Sequence, residues 1–185
     1  METSLKAQNP WAGSPVYVRE RTQSTMDDAR ELALQGCAEG TVVVAGFQHK
    51  GRGRAPGRTW HSQPWESLMA TIVLDGARLP FPVSEMPYRA AVAVSRAVKD
   101  YGVNASIKLP NDLLVDGKKL AGILCETCNQ SVLVGIGMNC MQASFPHELR
   151  ETACSLFQAT GQEVGPLVIL PRVLVRLKEV VTTGA

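Results

Sequence analysis

The sequence predicts an α+β fold, in which helices cover a mixed, largely antiparallel central sheet. Strand candidates outnumber helix candidates, and tight turns join successive strands, of which Asp116-Gly117 is the clearest. The helix candidates are few, and they are long enough to cover one face of a sheet. With 185 residues, of which 45% are hydrophobic, the chain has the material for one domain with a sizeable core.

The charge and the apolar pattern of the chain exclude several kinds of protein. The formal net charge is only +2, so a protein that coats nucleic acid is not indicated. The longest apolar runs, such as residues 167–170, are far too short to cross a membrane. Residues 1–15 are polar and lack the apolar stretch of a secretion signal. We therefore expect a cytoplasmic protein that binds neither nucleic acid nor membrane.

The cysteines indicate reduced thiols. Five is an odd number, and the chain is too large to need disulfides for stability. Cys125 and Cys128 form a C-x-x-C pair, but no second pair stands at zinc-finger spacing and the three histidines are scattered. Small apolar fillers at the end of a strand are therefore favoured over structural zinc or a redox dithiol.

The first half of the chain predicts three strands and one helix. Residues 1–14 are expected to form a flexible tail, because their prolines and glycine oppose regular structure. The helix begins at Ser24-Thr25, has acidic residues in its first turn and stops at Gly36. The expected strands are residues 16–18, 41–45 and 68–74.

The second half predicts a buried helix from Ser84 to Tyr101 and then a series of hairpin strands. These strands are expected at residues 105–108, 113–115, 119–125 and 131–137. The pattern then weakens, with a short helical piece at 147–153. Apolar residues three or four apart mark a last helix over 167–181, in which Pro171 should delay the start or cause a kink.

One segment stands apart from these elements, the ten residues from Gly51 to Trp60. It holds three glycines, three arginines, a proline and a tryptophan. Glycines let the backbone approach a ligand closely and offer N–H donors, and arginines bind phosphate and carboxylate groups. The segment therefore predicts a loop that folds over an anionic ligand. The alternative is a solvent-exposed basic turn.

Four stretches, taken in order, resemble the catalytic domain of biotin protein ligases. They are Ser24-Thr25, residues 48–60, residues 108–126 and Gly135-Ile136-Gly137-Met138-Asn139. The family pattern reads S-T-N, then Q-x-x-G-R-G-R-x-G-R-x-W, then K-W-P-N-D-L with G-x-K-L-A-G-I-L-x-E, then G-I-G-x-N. The resemblance covers about residues 15–180. The second and third stretches are long motifs of several residue types, and motifs of this kind seldom recur by chance.

The resemblance implies the biotin/lipoate ligase catalytic fold, which is related to class II aminoacyl-tRNA synthetases. It also implies a reaction, in which the carboxylate of biotin attacks the α-phosphate of MgATP to give biotinyl-5′-adenylate. A lysine of a biotin carboxyl carrier protein then takes the biotinyl group. The implied small molecules are ATP, Mg²⁺ and biotin, and a homodimer is compatible with the resemblance. Joining two anions requires positive charge between them and protection from water.

The resemblance also assigns site residues, of which Arg54 and Lys119 are the expected catalytic ones. The residues expected to bind biotin are Ser24, Thr25, Gln48, Gly51, Arg52, Gly53, Arg54, Lys119 and Gly122. The residues expected to bind the nucleotide are Arg52, Arg54, Arg58, Trp60, Asn111, Asp112 and Asn139. No metal site made of protein ligands alone is implied, and the Mg²⁺ that accompanies ATP is placed near Asp112.

Each of these residues also has an ordinary structural interpretation. Ser24 and Thr25 could only cap a helix, Asn111-Asp112 could be turn residues, and Gly122 could mark a β-bulge. Asn139 could be a loop residue in a left-handed conformation. The ordered set of stretches favours the ligase, and no single residue does so.

Three positions depart from the family pattern. Met26 replaces the usual asparagine, Leu109 replaces the usual tryptophan, and Ala55-Pro56 adds one residue to the loop. We expect residues 15–183 to be a catalytic domain without the helix-turn-helix of repressor members and without the small C-terminal β domain. Repressor activity is therefore not expected.

Two other functions stay open from the sequence. A lipoate or octanoate transferase of the same fold is disfavoured, because its R-R-x-x-G-G-G pattern is missing and no cysteine stands in a transferase-like setting. The other is a biotin-binding protein without transfer activity, which Met26 and the missing domain motivate.

Overall fold

A seven-stranded sheet forms the centre of the computed structural model, which describes residues 5, 8–54, 57, 59–60 and 62–183. The strands are β1 (Val16–Thr22), β2 (Val42–Gln48), β3 (Ser67–Asp75), β4 (Ser106–Lys108), β5 (Asp112–Val115), β6 (Lys118–Cys128) and β7 (Ser131–Asn139). The helices are α1 (Thr25–Leu34), α2 (Met86–Lys99), α3 (Leu156–Thr160) and α4 (Pro166–Thr183).

The strand order is β1-β2-β3-β7-β6-β5-β4. The β1–β2 pair is parallel, and the other neighbouring pairs are antiparallel. This arrangement confirms the predicted α+β class with a mixed, largely antiparallel sheet.

Helices cover both faces of the sheet, but unequally. On one face α2 and α4 form the main core, in which Ile72 of β3 and Leu170 of α4 are fully buried. On the other face α1 covers a smaller cluster that includes Met26 and Val73. Successive side chains of a strand point to opposite faces, so Ile72 and Val73 enter different cores. This two-sided burial explains why β3 is continuously apolar.

Local signals set the ends of α1 as predicted. The Ser24 hydroxyl caps the helix by accepting a hydrogen bond from the Met26 N–H at 3.2 Å. Asp27 and Asp28 occupy the first turn, where the helix dipole favours acidic side chains. Gly36 follows the end of the helix with φ at 74°, a backbone conformation that favours glycine.

The turn between β5 and β6 is also confirmed. Asp116 and Gly117 have φ values of 50° and 80°. Positive φ at both central residues matches the twist of a two-residue hairpin. This turn fixes β6 beside β5 and so places Lys119 opposite the end of β5.

Residues 8–14 pack onto the domain, which corrects the expectation of a flexible tail in this part. Trp11 is 7% exposed, and the buried amide of Asn9 donates to the Gly40 carbonyl at 2.9 Å. Lys178 of α4 donates to the Pro10 carbonyl at 2.6 Å and lies over the Trp11 ring. These contacts hold the segment although it contains no regular structure, because the indole supplies apolar surface and Asn9 satisfies backbone groups.

One expectation for the C-terminal third is wrong. Residues 147–153 form turns and an isolated bridge, and the short helix is α3, which Ser155 caps by accepting a hydrogen bond from Gln158. The last helix, α4, begins at Pro166 and continues through Pro171, so Pro171 does not delay its start, and the alternative of a kink stays a prediction. Proline suits the first helical position, and the deeply buried face of α4 outweighs the one hydrogen bond that Pro171 cannot donate.

The two cysteines of the C-x-x-C pair lie on opposite faces of β6. Cys125 packs against the main core, and Cys128 belongs to the smaller cluster beneath α1. All five cysteines are free. In the part of the chain that the structure describes, no group of three or more His, Cys, Asp or Glu residues could hold a metal ion. The packing of Cys125 and Cys128 in two apolar clusters supports the interpretation as apolar fillers.

We expect Cys140 to resist alkylation in the folded protein. Burial raises the pKa of its thiol to about 12, and only the thiolate reacts readily. Peptide mapping after iodoacetamide treatment in mildly alkaline buffer should find Cys140 unmodified, and modified once the protein is denatured. Equal rates in the two states would contradict this expectation. The partly exposed Cys37 is the internal control.

Among the helices in the described part of the chain, none combines the length and the apolar character that a membrane crossing demands.

Candidate functional site

A cleft lies on the face of the sheet that α1 covers. Its cavity volume is about 70 Å³, and the space reaches about 540 Å³ when the solvent at its open mouth is included. Many of the residues predicted from the sequence line it together: Ser24, Thr25, Gln48, Arg52, Gly53, Arg54, Trp60, Asn111, Lys119 and Gly122. The further lining residues are Met26, Ala70, Thr71, Ile123, Leu124, Gly135, Ile136 and Gly137.

Glycines on two neighbouring strands make room for the cleft. The register of β6 and β7 places Gly122 opposite Gly137 and Leu124 opposite Gly135. Residues two apart on a strand share a face, so Gly122 and both β7 glycines leave that face without side chains. The sequence suggested a bulge or a close approach at Gly122, and the structure shows a close approach, because Lys119 lies over Gly122 as Trp60 lies over Gly137.

A hydrogen-bonded group closes one end of the cleft. The side-chain oxygen of Gln48 accepts hydrogen bonds from the Thr25 N–H at 2.7 Å and from the Thr25 hydroxyl at 3.0 Å. The buried Thr71 hydroxyl donates to the Thr25 hydroxyl at 2.9 Å. These bonds fix the orientation of the Gln48 amide, because its oxygen is fully used. In the described part of the chain its amide nitrogen has no partner, so it is a donor for a ligand carbonyl.

The other end of the cleft carries a positive charge on β6. The Lys119 ammonium pairs with the Asp112 carboxylate at 2.7 Å, and the lysine side chain is 38% exposed. A Cβ at Gly122 would lie 3.0 Å from the Lys119 Nζ, so glycine leaves room for the ammonium. The Asn111 amide beside it donates to the Ile123 carbonyl at 2.9 Å. Asp112 does not line the cleft and reaches it only through Lys119.

Asn139 and Gly51 are buried beside the cleft and do not line it. The Asn139 amide donates to the Cys154 carbonyl at 3.0 Å and to the Lys119 carbonyl at 3.3 Å. It therefore supports the backbone that carries Lys119, and the predicted contact with a nucleotide stays a prediction. Arg58 and the extra loop residue at Ala55-Pro56 lie outside the described residues, and the expectations for them are untested.

Trp60 forms a wall of the cleft. Its ring lies against β7 so closely that a Cβ at Gly137 would be 2.9 Å from a ring carbon. The Lys119 ammonium is 6.0 Å from the ring centroid. Within the described part of the chain the buried indole N–H has no hydrogen-bond partner. Trp60 lines the cleft, and the ligand contact predicted for it stays a prediction. The ring explains the need for glycine at 137.

The structure explains two of the departures from the family pattern. Met26 is 4% exposed and belongs to the apolar cluster beneath α1, with its Cε close to Gly135. It therefore acts mainly as a core residue that also borders the cleft. Leu109 is 70% exposed and does not line the cleft.

The two described arginines of the Gly51–Trp60 segment have different surroundings. Arg52 donates to both carboxylate oxygens of Asp27, at 3.0 and 2.8 Å, and lies 3.7 Å from Glu126. Glu126 also pairs with Arg30 of α1. In contrast, Arg54 is exposed and has no ion pair in the described part of the chain. Sequence reasoning missed these partners, since Asp27 was interpreted only through the helix dipole.

We expect Asp27 to titrate below the usual pKa of an aspartate. The hydrogen bonds from Arg52 are the main cause of its lowered pKa, and they also raise the pKa of Arg52. A lowered pKa contributes stability above the unfolded-state pKa, and the contribution is lost as pH falls through the folded-state pKa. An NMR titration should show the pKa of Asp27 rising in Arg52→Gln. In the control Glu31→Gln the pKa of Asp27 should stay as in the parent.

The fold and the cleft together define an α+β domain with a cleft beside a mixed sheet, lined by polar and positively charged side chains. Residues 18–142 match the model of the Biotin/lipoate A/B protein ligase family, and the chain belongs to that family. The resemblance deduced from the sequence is therefore confirmed, and the fold is that of the biotin protein ligases.

Named relatives are biotin ligases. The bifunctional ligase/repressor BirA of Bacillus spizizenii is 36% identical, over 93% of this chain and 56% of the relative. The biotin–[acetyl-CoA-carboxylase] ligase of Mycobacterium tuberculosis is 34% identical, over 84% of this chain and 60% of the relative. The chain thus spans little more than half the length of these relatives.

Two solved structures are similar to this one. Biotin protein ligase from Aquifex aeolicus in complex with biotin and ATP superposes with a TM-score of 0.80 at 31% identity, over 89% of this chain and 68% of that one. Biotin protein ligase from Leishmania major in complex with biotinyl-5-AMP has a TM-score of 0.80 at 25% identity, over 90% and 74% of the two chains.

Proposed function

We propose that this chain is the catalytic domain of an ATP-dependent biotin–[acetyl-CoA-carboxylase] ligase. The observation that carries the proposal is the cleft itself, which joins the fixed Gln48 amide at one end to the Lys119 ammonium at the other. Its fold is similar to that of a ligase solved with biotin and ATP. A site of this kind suits a ligand with a polar ring and a carboxylate.

The end of the cleft around Gln48 is proposed to hold the ureido ring of biotin. The Gln48 amide N–H can donate to the ureido oxygen, and the hydroxyls of Ser24 and Thr25 supply further polar contacts. Glycines at Gly53 and Gly122 let the ligand approach the backbone. The apolar surface of Met26 then suits the hydrocarbon part of the ligand.

The end around Lys119 is proposed to be the reaction centre. A carboxylate oxygen of biotin forms a bond to the α-phosphorus of ATP while the bond to pyrophosphate breaks. Lys119 and Arg54 would reduce the repulsion between the two anions, because each places a positive charge in the cleft. In the second step a carrier lysine amine forms an amide with the biotinyl carbon, and AMP leaves.

The remaining assignments concern the nucleotide. Trp60 would border the adenine, and Asn111 and Asp112 would lie on the phosphate side. Mg²⁺ arrives with ATP as part of the substrate, and it needs only one or two protein carboxylates because phosphate oxygens and water complete its shell. Asp112 does not line the cleft itself, but it can supply one such carboxylate because it pairs with Lys119, which does. The proposed partner is a biotin carboxyl carrier protein in the cytoplasm.

The test is a direct assay of both half-reactions. The protein is incubated with biotin and MgATP, and biotin-dependent exchange of pyrophosphate into ATP reports the adenylate. Addition of an apo carrier domain should give a carrier whose mass rises by one biotinyl group. Biotin binding without exchange would favour a non-transferring binding protein. Transfer of lipoyl or octanoyl groups in place of biotin would favour the transferase.

A further inference from the structure

Four charged side chains form a cluster beside the cleft, which we call the anchor cluster: Asp27, Arg30, Arg52 and Glu126. Asp27 and Arg30 come from α1, Glu126 comes from β6, and Arg52 comes from the Gly51–Trp60 segment. The cluster therefore ties that segment to two elements that are otherwise fixed in the fold. Two positive and two negative charges alternate in it, so no charge of either sign is left over.

The geometry of the anchor cluster is that of a network. The Arg52 guanidinium binds both oxygens of Asp27, and Glu126 lies between Arg52 and Arg30. An isolated ion pair at the surface contributes little, but a two-pronged arginine–carboxylate pair within a network holds its members in defined positions. The side chains of Arg52 and Glu126 are 39% and 27% exposed, so water screens the network only in part.

A second set of contacts fixes the same part of the segment. The Trp60 N–H donates to the Gly51 carbonyl at 3.1 Å, and Arg52 forms an antiparallel bridge with Thr59. The Trp60 ring in turn rests on Gly137 of β7. Arg52 is thus held at its backbone by the bridge and at its guanidinium by the anchor cluster.

We propose that Arg52 is a positioning residue, which with Asp27 and Glu126 holds the base of the Gly51–Trp60 segment so that Trp60 and Arg54 face the cleft. The guanidinium of Arg52 is engaged by carboxylates, and Arg54 two residues later has no ion pair in the described part of the chain. Among the described residues that line the cleft, Arg54 is the positively charged side chain without a carboxylate partner, while Lys119 pairs with Asp112 alone. The inference that the position of Trp60 and Arg54 affects ligand binding rests on the proposed function.

Replacing the carboxylates of Asp27 and Glu126 distinguishes a positioning role of Arg52 from direct ligand binding by Arg52. In Asp27→Asn/Glu126→Gln we expect the Kd for biotin to rise about fivefold, since a network of this kind contributes about that factor. The KM for biotin in pyrophosphate exchange should rise similarly while kcat stays near that of the parent. If Arg52 instead binds the ligand, the carboxylates compete with it, and the double variant should bind biotin equally or more tightly. That result would overturn the positioning role.

A measurement without ligand tests the anchor independently. Hydrogen exchange of the Trp60 amide should be about fivefold faster in the double variant than in the parent, while the thermal midpoint falls by only about 2–4 °C. The control Glu31→Gln removes an exposed carboxylate of α1 outside the cluster, and it should leave the exchange unchanged. Equal exchange in the parent and the double variant would show that the cluster does not hold the segment. If the parent fails to bind biotin, the proposed function fails, while this measurement still decides on the anchor.

Discussion

Replacing Lys119 by alanine is expected to lower biotin-dependent adenylate formation about 10²- to 10³-fold. The substitution removes one of the positive charges of the cleft and leaves the Asp112 carboxylate, now paired at 2.7 Å, without its partner. The loss of stability should be smaller, about 1–2 kcal/mol, because a single partly buried carboxylate oxygen is left unpaired. Pyrophosphate exchange and urea denaturation measure the two effects separately.

The neighbouring lysine provides the matched control. Lys118 lies on the same strand, but its ammonium donates to the Arg150 carbonyl at 3.1 Å and does not line the cleft. Lys118→Ala should therefore keep nearly full exchange activity. The double variant Lys119→Ala/Asp112→Ala removes the unpaired carboxylate and should regain stability without regaining activity. Full activity in Lys119→Ala would show that the proposed catalytic role is wrong.

Replacing Gly137 by valine is expected to lower exchange activity about 10²-fold, because the Trp60 ring must move from the cleft wall. Even a Cβ at this position would lie 2.9 Å from the ring, and a displacement of about 1 Å is enough for a loss of this size. The free energy of unfolding should fall by about 1–3 kcal/mol, as in other overpacked sites. Pyrophosphate exchange and urea denaturation are again the measurements.

A second substitution tests whether the ring is the cause. In Gly137→Val/Trp60→Leu the smaller side chain leaves room for the valine, so part of the lost stability should return. Gly165→Ala, where a Cβ meets nothing within 4 Å, controls for the general effect of replacing a glycine. Additive stability losses in the double variant would show that the two residues do not compete for space.

Several elements could be predicted because their signals are local. Ser24 ahead of an apolar helix is a cap wherever the helix lies, and Asp116-Gly117 forms its turn from its own backbone preference. The strands and the α+β class followed from similar short-range patterns. The ends of β6 and β7 were placed too early, since pairing between the two strands extends them to Cys128 and Asn139.

The packing of the N-terminal segment could not be predicted in this way. Nothing near Trp11 in the sequence indicates that Lys178 will lie over its ring or that Gly40 will accept from Asn9. Proline and glycine oppose regular structure, but they do not oppose burial. The last helix was predicted within one residue of its start at Pro166, but the sequence could not show that Pro171 is tolerated inside it, because the core contacts of the helix decide that.

The sequence by itself determined the family, the fold class and most of the residues that line the cleft, because the residues of each motif are close together in the sequence. Only the tertiary structure decided which of those residues contact one another and which are left to face the cleft. The register that sets Gly122 opposite Gly137 lets Lys119 and Trp60 lie close against the sheet. Asp27 of α1 and Glu126 of β6 engage Arg52, and Arg54 has no ion pair in the described part of the chain. The physical reason is that charge pairing and close packing depend on distances between residues far apart in the chain, which only the assembled sheet and its helices fix.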